Sequence, residues 1–201
     1  MLKFKPQNTA LILVDLQNDF LHPDGAYGRA GQTSPVIANL PAQLAPAAHA
    51  VRQAGGVVIS THFTLVPGKD GAPLISAHLK KLRPFLTSGD FTPGAWGHGL
   101  VDELKPVDFS IEKIAYSAFY MTRLEWLLRR IGAETLIFSG IVTNGGVAST
   151  LRDAHVRDFH TIVLEDGCGA FSQLTHEAAI ADMASISSVA TCNDVTAALS
   201  S

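Results

Sequence analysis

The sequence predicts an α/β fold, a three-layer α/β/α domain around a doubly wound, mostly parallel six-stranded sheet. Two observations carry that prediction. Six short apolar runs recur along the 201 residues, and four are nearly continuous in Val, Ile, Leu and Phe, as strands covered on both faces require. Between the runs lie longer stretches with apolar residues at helical spacing. Strands alternating with helices imply right-handed crossovers and a parallel sheet.

The strands are expected at residues 10–15, 57–61, 109–113, 135–139, 161–164 and 187–190. A first long helix follows Ser34, an N-cap residue placed before Pro35 at the first helical position. Its apolar stripe is Val36, Leu40, Leu44, Ala47 and Val51, and Gly55-Gly56 stops it. Pro41 and Pro46 fall inside the stripe, and each removes a helical donor, so a break or a later start is expected there. A second helix carries Leu124, Leu127, Leu128 and Ile131 and ends near Gly132. A third is expected over about 146–157 and a fourth over about 175–184. After the last strand only a short tail is expected. Residues 63–105 hold many Gly, Pro and Thr and little periodicity, as a substrate loop or an oligomer contact does.

At 47% hydrophobic and 16% charged, the chain can bury a large core, and its length suits one domain over residues 1–201. A net charge of −3, with basic residues scattered, argues against nucleic acid as a partner. The first six residues contain no apolar leader, and the apolar runs are too short to span a bilayer. A cytoplasmic enzyme acting on a small molecule, away from membranes, is the expectation. Cys168 and Cys192 make neither a disulfide framework nor a zinc pattern, and neither metal nor cofactor is expected.

Ligands of open parallel sheets bind at the carboxyl ends of the strands. Three candidates fall there: Asp15 after the first strand, Lys113 at the end of the third, and the loop 140–146 after the fourth. Each has a plain structural explanation. An Asp after a strand caps a turn, a Lys at a strand end is solvated, and glycines before a helix make a turn. The loop matches neither a P-loop nor a dinucleotide fingerprint.

Taken together, the segments say more. Asp15-x-Gln17-Asn18-Asp19-Phe20, Lys113-x-x-Tyr116-Ser117-Ala118-Phe119 and Gly140-Ile141-Val142-Thr143-Asn144-Gly145-Gly146-Val147 occur in an order that resembles the isochorismatase-like (cysteine) hydrolases. The resemblance runs over roughly residues 9–195. It implies that Asp15 is the acid/base carboxylate, that Lys113 supports it, and that Gly146 stands where most of the family has its nucleophilic cysteine. It implies a cis peptide between Val142 and Thr143, with loop N–H groups turned to the substrate. Phe20, His62, Trp96, Tyr116, Phe119, Val142, Thr143, Asn144 and Gly145 are the expected substrate contacts, although core packing explains the aromatics equally well. Ser60 stands where related nicotinamidases carry a metal-binding aspartate two residues before the histidine, so no metal is expected. Family members are commonly dimers or larger, so a homo-oligomer is expected.

Gly146 closes the covalent route, because glycine supplies no nucleophile. The isochorismatases that cleave a vinyl ether likewise lack the thiol, and their reaction begins with proton transfer to carbon. Asp15 as general acid with Lys113 supporting it, acting on a small carboxylated metabolite, is the first reading. The segments around Thr143-Asn144 and His62-Phe63 instead resemble ureidoacrylate and carbamoyl amidases. An amidase whose nucleophile is replaced by Gly146 is therefore the alternative, and a non-catalytic ligand-binding homologue is the third. Cys168 follows the fifth strand, and an incidental buried thiol explains it better than a displaced nucleophile.

Overall fold

A computed structural model describes residues 2–199. The domain expected over 1–201 therefore extends beyond the described residues at Met1, Ser200 and Ser201.

Six strands are present: β1 (Thr9–Val14), β2 (Val57–Phe63), β3 (Phe109–Lys113), β4 (Thr135–Ile141), β5 (His160–Gly169) and β6 (Ser188–Ala190). They form one sheet in the order β3-β2-β1-β4-β5-β6, and all five pairings are parallel. In order along the chain, the helices are α1 (Asn18–Leu21), α2 (Ala26–Arg29), α3 (Pro35–Gln53), α4 (Ala77–Leu82), α5 (Leu124–Arg130), α6 (Ala148–His155), α7 (Gln173–Met183) and α8 (Cys192–Leu199).

The two faces of the sheet carry separate cores. On one, α3 and α8 pack Leu40, Leu44, Val51 and Val195 over Leu11, Leu13 and Ile137. On the other, α5, α6 and α7 pack Leu124, Leu128, Leu151 and Met183 over Ile12, Leu136 and Phe138. This is why β1 and β4 are buried along their whole lengths and why their sequences are continuously apolar rather than alternating.

The long helix runs unbroken through Pro41 and Pro46. The lost donors cost about 3 kcal/mol each in a helix interior. Burial of Ile37, Leu40, Pro41, Leu44, Ala47, Ala48 and Val51 against the sheet offsets that loss. The expected tail is helix α8. Its signal was Cys192, Val195 and Leu199 at helical spacing, with Asp194 accepting from the backbone N–H of Thr191 at 2.9 Å. The helix expected over 146–157 starts as a π turn, Thr143–Val147, before α6.

Strand order reverses between β1 and β4. There the crossovers diverge, and the carboxyl ends of the two strands open a crevice. Gly140, with φ of 104°, lies so close to β1 that a Cβ would overlap the carbonyl oxygen of Val14.

Candidate active site

Asp15 leaves β1 in the left-handed region, with φ of 57°, which Asp tolerates better than most residues. That conformation turns the carboxyl across the end of β2. Its N–H donates to the Thr61 carbonyl at 3.1 Å, and the Thr61 hydroxyl donates to Oδ1 at 2.9 Å. Lys113, the last residue of β3, reaches over β2 and places Nζ 2.6 Å from Asp15 Oδ2. The same Nζ donates to the Ala115 carbonyl at 3.0 Å and lies 5.7 Å from the centre of the Phe63 ring. The lysine side chain is 1% exposed and the aspartate 7%.

Burial raises the Asp15 pKa above its ordinary value. Lys113 and the Thr61 hydroxyl pull the other way without cancelling it. The carboxyl is therefore poised to hold or release a proton nearer neutrality than a surface aspartate.

Gly146 lies directly opposite. A Cβ built on it would stand 3.3 Å from Asp15 Oδ2, 3.1 Å from Val14 Cγ1 and 2.9 Å from the Ile141 carbonyl oxygen. Thr150 fixes this turn, donating to the Gly146 carbonyl at 2.6 Å and accepting from Ala118 N–H at 3.1 Å. The cis peptide is Ile141–Val142, one residue earlier than the expected Val142–Thr143 bond.

Asp15, Lys113 and Gly146 share a cavity of about 340 Å³. Phe20, Tyr116 and Val142 line it, as do Tyr27, Phe63, Arg83 and Phe171, which the sequence alone did not single out. Gly145 abuts the wall, since a Cβ there would lie 3.3 Å from Tyr116 Cε1.

The other expected contacts lie elsewhere. Thr143 is buried beneath the loop, hydrogen-bonded at 2.9 Å to Nδ1 of His176 on α7. Asn144 is exposed and faces Arg152 and Leu174 on the outer surface. Phe119 is in the core, 6.2 Å between ring centres from Phe159 and beneath the Arg157 guanidinium. Trp96 is exposed, with its ring edge-on to His22 at 4.9 Å. Its carbonyl accepts from the Asn18 side chain at 2.8 Å.

His62 points away from this cavity. Its Nε2 pairs with Ser60 Oγ at 2.8 Å and its Nδ1 with the His98 carbonyl at 2.9 Å. Together with His98, Ser110 and Glu112 it borders a separate hollow at the β3 edge. Among the described residues, no three His, Cys, Asp or Glu side chains converge as metal ligands would.

Three missed residues had readable signals. Thr61 is the parallel partner of Val14, so it ends beside Asp15. Gln17 clamps Phe63 through both backbone groups, accepting at 2.8 Å and donating at 3.0 Å, and this explains its place two residues after Asp15. Asp19 holds the N–H groups of Ala26 and Phe91 and so ties down the walls above the cavity. Tyr27, Arg83 and Phe171 carried no such signal, because they come from aperiodic segments.

Neither thiol lines the cavity. Cys168 is buried opposite Gly140 with its Sγ 3.8 Å from the Phe138 carbonyl, and burial holds its pKa far above neutrality. Burial pushes the Cys192 thiol up to about 12.

A doubly wound parallel sheet with a buried carboxyl–ammonium pair and a glycine turn at its switch point defines the class, an open α/β/α protein with a ligand crevice at its strand ends. Residues 9–197 match the family model of the isochorismatase domain, and the chain belongs to that family. It is 39% identical over 178 residues to the ureidoacrylate amidohydrolase RutB of Pantoea ananatis (strain LMG 20103), covering 81% of this chain and 70% of that protein. Among solved structures, it is similar to a cysteine hydrolase from Pseudomonas syringae pv. phaseolicola 1448A. That match has a TM-score of 0.85 and 23% identity, over 100% of this chain and 96% of the other. An isochorismatase family protein from Desulfovibrio vulgaris subsp. vulgaris str. Hildenborough matches with a TM-score of 0.80 and 25% identity, over 96% and 99% of the two chains. No helix among the described residues is long and apolar enough to cross a membrane.

Proposed function

We propose that this hydrolase cleaves a small carboxylated substrate with Asp15 as its acid–base group, Lys113 as its electrostatic support and no cysteine nucleophile. One observation carries the reading. The place of a side chain at residue 146 lies 3.3 Å from Asp15 Oδ2, and no side chain fills it. A substrate atom or a water just beyond that point, in the cavity that Asp15 and Gly146 both line, meets the carboxyl directly.

A vinyl ether suits this arrangement. Asp15 donates its proton to the terminal enol carbon, giving an oxocarbenium ion. Water adds to that ion and returns a proton to Asp15, and the hemiketal separates into a keto acid and an alcohol. Lys113 keeps the carboxylate stabilised between the two transfers. The raised pKa of Asp15 supports the acid role.

The amidohydrolase relative favours a second reading, attack on a ureido or amide carbonyl by a water that Asp15 deprotonates. Pyruvate release from isochorismate and ammonia release from ureidoacrylate, each with Asp15→Asn alongside, decide between the two. Pyruvate that depends on Asp15 supports the vinyl ether reading, and ammonia that depends on Asp15 supports the amide reading. Amidase activity gained by Gly146→Cys, with none in the natural chain, would overturn the thiol-free proposal.

A further inference from the structure

The cavity floor holds a matched pair of charges, but its wall holds an unmatched one. Arg83 follows helix α4 and lines the cavity opened by Asp15 and Gly146. Its Nε donates to the Tyr27 hydroxyl at 3.0 Å and one Nη to the Leu82 carbonyl at 3.0 Å. Among the described residues, no carboxylate lies within ion-pair distance of it. The other cavity cation, Lys113, is already paired with Asp15 at 2.6 Å. Tyr27, which holds the guanidinium, is itself fixed, stacked on Phe171 at 5.7 Å with an interplanar angle of 8° and packed on Phe20 at 4.8 Å. The arginine is therefore aimed by a rigid aromatic wall.

A substrate carboxylate has two candidate seats here, the glycine turn or Arg83. The turn is the wrong one electrostatically. The space beside Gly146 is bounded by the Ile141 carbonyl oxygen and by Asp15, which already holds Lys113, so no free cation faces an anion there. Arg83 presents a planar donor fork that carboxylates match.

We propose that Arg83 is the carboxylate anchor of this cavity. It selects small monoanionic substrates with a planar apolar body and directs their reactive end toward Asp15. The assignment rests on the hydrolase reading of the same cavity.

The test is binding, which needs no turnover. Benzoate and benzyl alcohol share a planar body and differ in charge, and their affinities are measured by ligand-observed NMR titration. The natural protein is expected to prefer benzoate by about tenfold or more, the scale of one charge-assisted contact. Arg83→Met is expected to bring benzoate to the level of the alcohol and leave the alcohol unchanged, while Arg83→Lys retains part of the preference. Should Arg83→Met fail to fold, Tyr27→Phe releases the guanidinium and is expected to weaken benzoate alone. No preference in the natural protein, an undiminished preference in Arg83→Met, or equal weakening of both probes in Tyr27→Phe would overturn the anchor. Asp15→Asn is expected to keep the preference. If the preference depends on Arg83 but no substrate turns over, the hydrolase reading fails and the anchor stands. If turnover depends on Asp15 while KM for a carboxylated substrate ignores Arg83, the anchor fails and the hydrolase reading stands.

Discussion

Asp15 and His62 sit at the ends of neighbouring strands, both buried, yet they have opposite fates. Burial raises the pKa of the carboxyl and lowers that of the imidazole, each toward its neutral form. His62 is then fully occupied, with one ring nitrogen on Ser60 and the other on the His98 carbonyl. Asp15 is held just as firmly by Thr61 and Lys113, but Oδ2 also faces the unfilled place at Gly146. A perturbed titratable group alone does not mark a site. A perturbed group beside a shaped space does.

The most direct way to break this contrast is to remove each group in turn. Asp15→Asn is expected to lower steady-state turnover about a thousandfold, the scale of a lost general acid or base, while His62→Gln leaves turnover within about threefold. Equal losses in the two variants would erase the distinction drawn above.

Stability separates them next. Lys113→Met leaves the buried Asp15 carboxylate without its cation and is expected to cost about 3–5 kcal/mol in urea melts near neutral pH. Adding Asp15→Asn should recover most of the stability and none of the activity. A double variant no more stable than the single one would mean that the pair does not hold the fold as described.

The two groups also predict opposite responses to pH. Asp15 has a raised folded pKa, so its stabilising contribution is complete below the ordinary value of 3.8 and is lost as pH rises through the folded pKa. His62 has a lowered folded pKa, so its contribution is complete above the ordinary value of 6.5 and is lost as pH falls through the folded pKa. Urea midpoints of Asp15→Asn and His62→Gln, compared with the natural protein across pH, should reveal these two slopes with opposite sign. The rate follows the same logic. Acid catalysis by Asp15 falls as pH rises through its pKa, and base catalysis rises.

The smallest effect expected is none. Iodoacetamide should leave turnover unchanged, because both thiols are buried with raised pKa values. Inactivation that tracks modification of Cys168 would return a thiol to the mechanism.

Much of this was legible in the sequence, for a physical reason. The four central strands are covered on both faces and announced themselves as continuous apolar runs, the edge strands β3 and β6 as shorter and more polar ones, and the strand-end rule then brought Asp15, Lys113 and the 140–146 loop together. Local rules failed where tertiary packing outweighed them. Pro41 and Pro46 argued for a break, but the buried stripe of α3 held the helix. Phe119 and Tyr116 belong to one motif and read alike, yet one faces the core and the other the cavity. Only the path of the backbone through residues 114–121 separates them. Arg83 was invisible because residues 63–105 have no period from which to infer a facing side, and Tyr27 because a helix as short as α2 shows none either.

Those same walls form a unit of their own. Tyr27, Leu65, Leu86 and Phe91 pack into a third small core, separate from the two that flank the sheet. The cavity floor with Asp15 and Lys113 is built from strand ends, whereas much of its wall comes from segments packed mainly on one another. A lineage, or an engineer, can therefore exchange those walls and keep the strand-end floor.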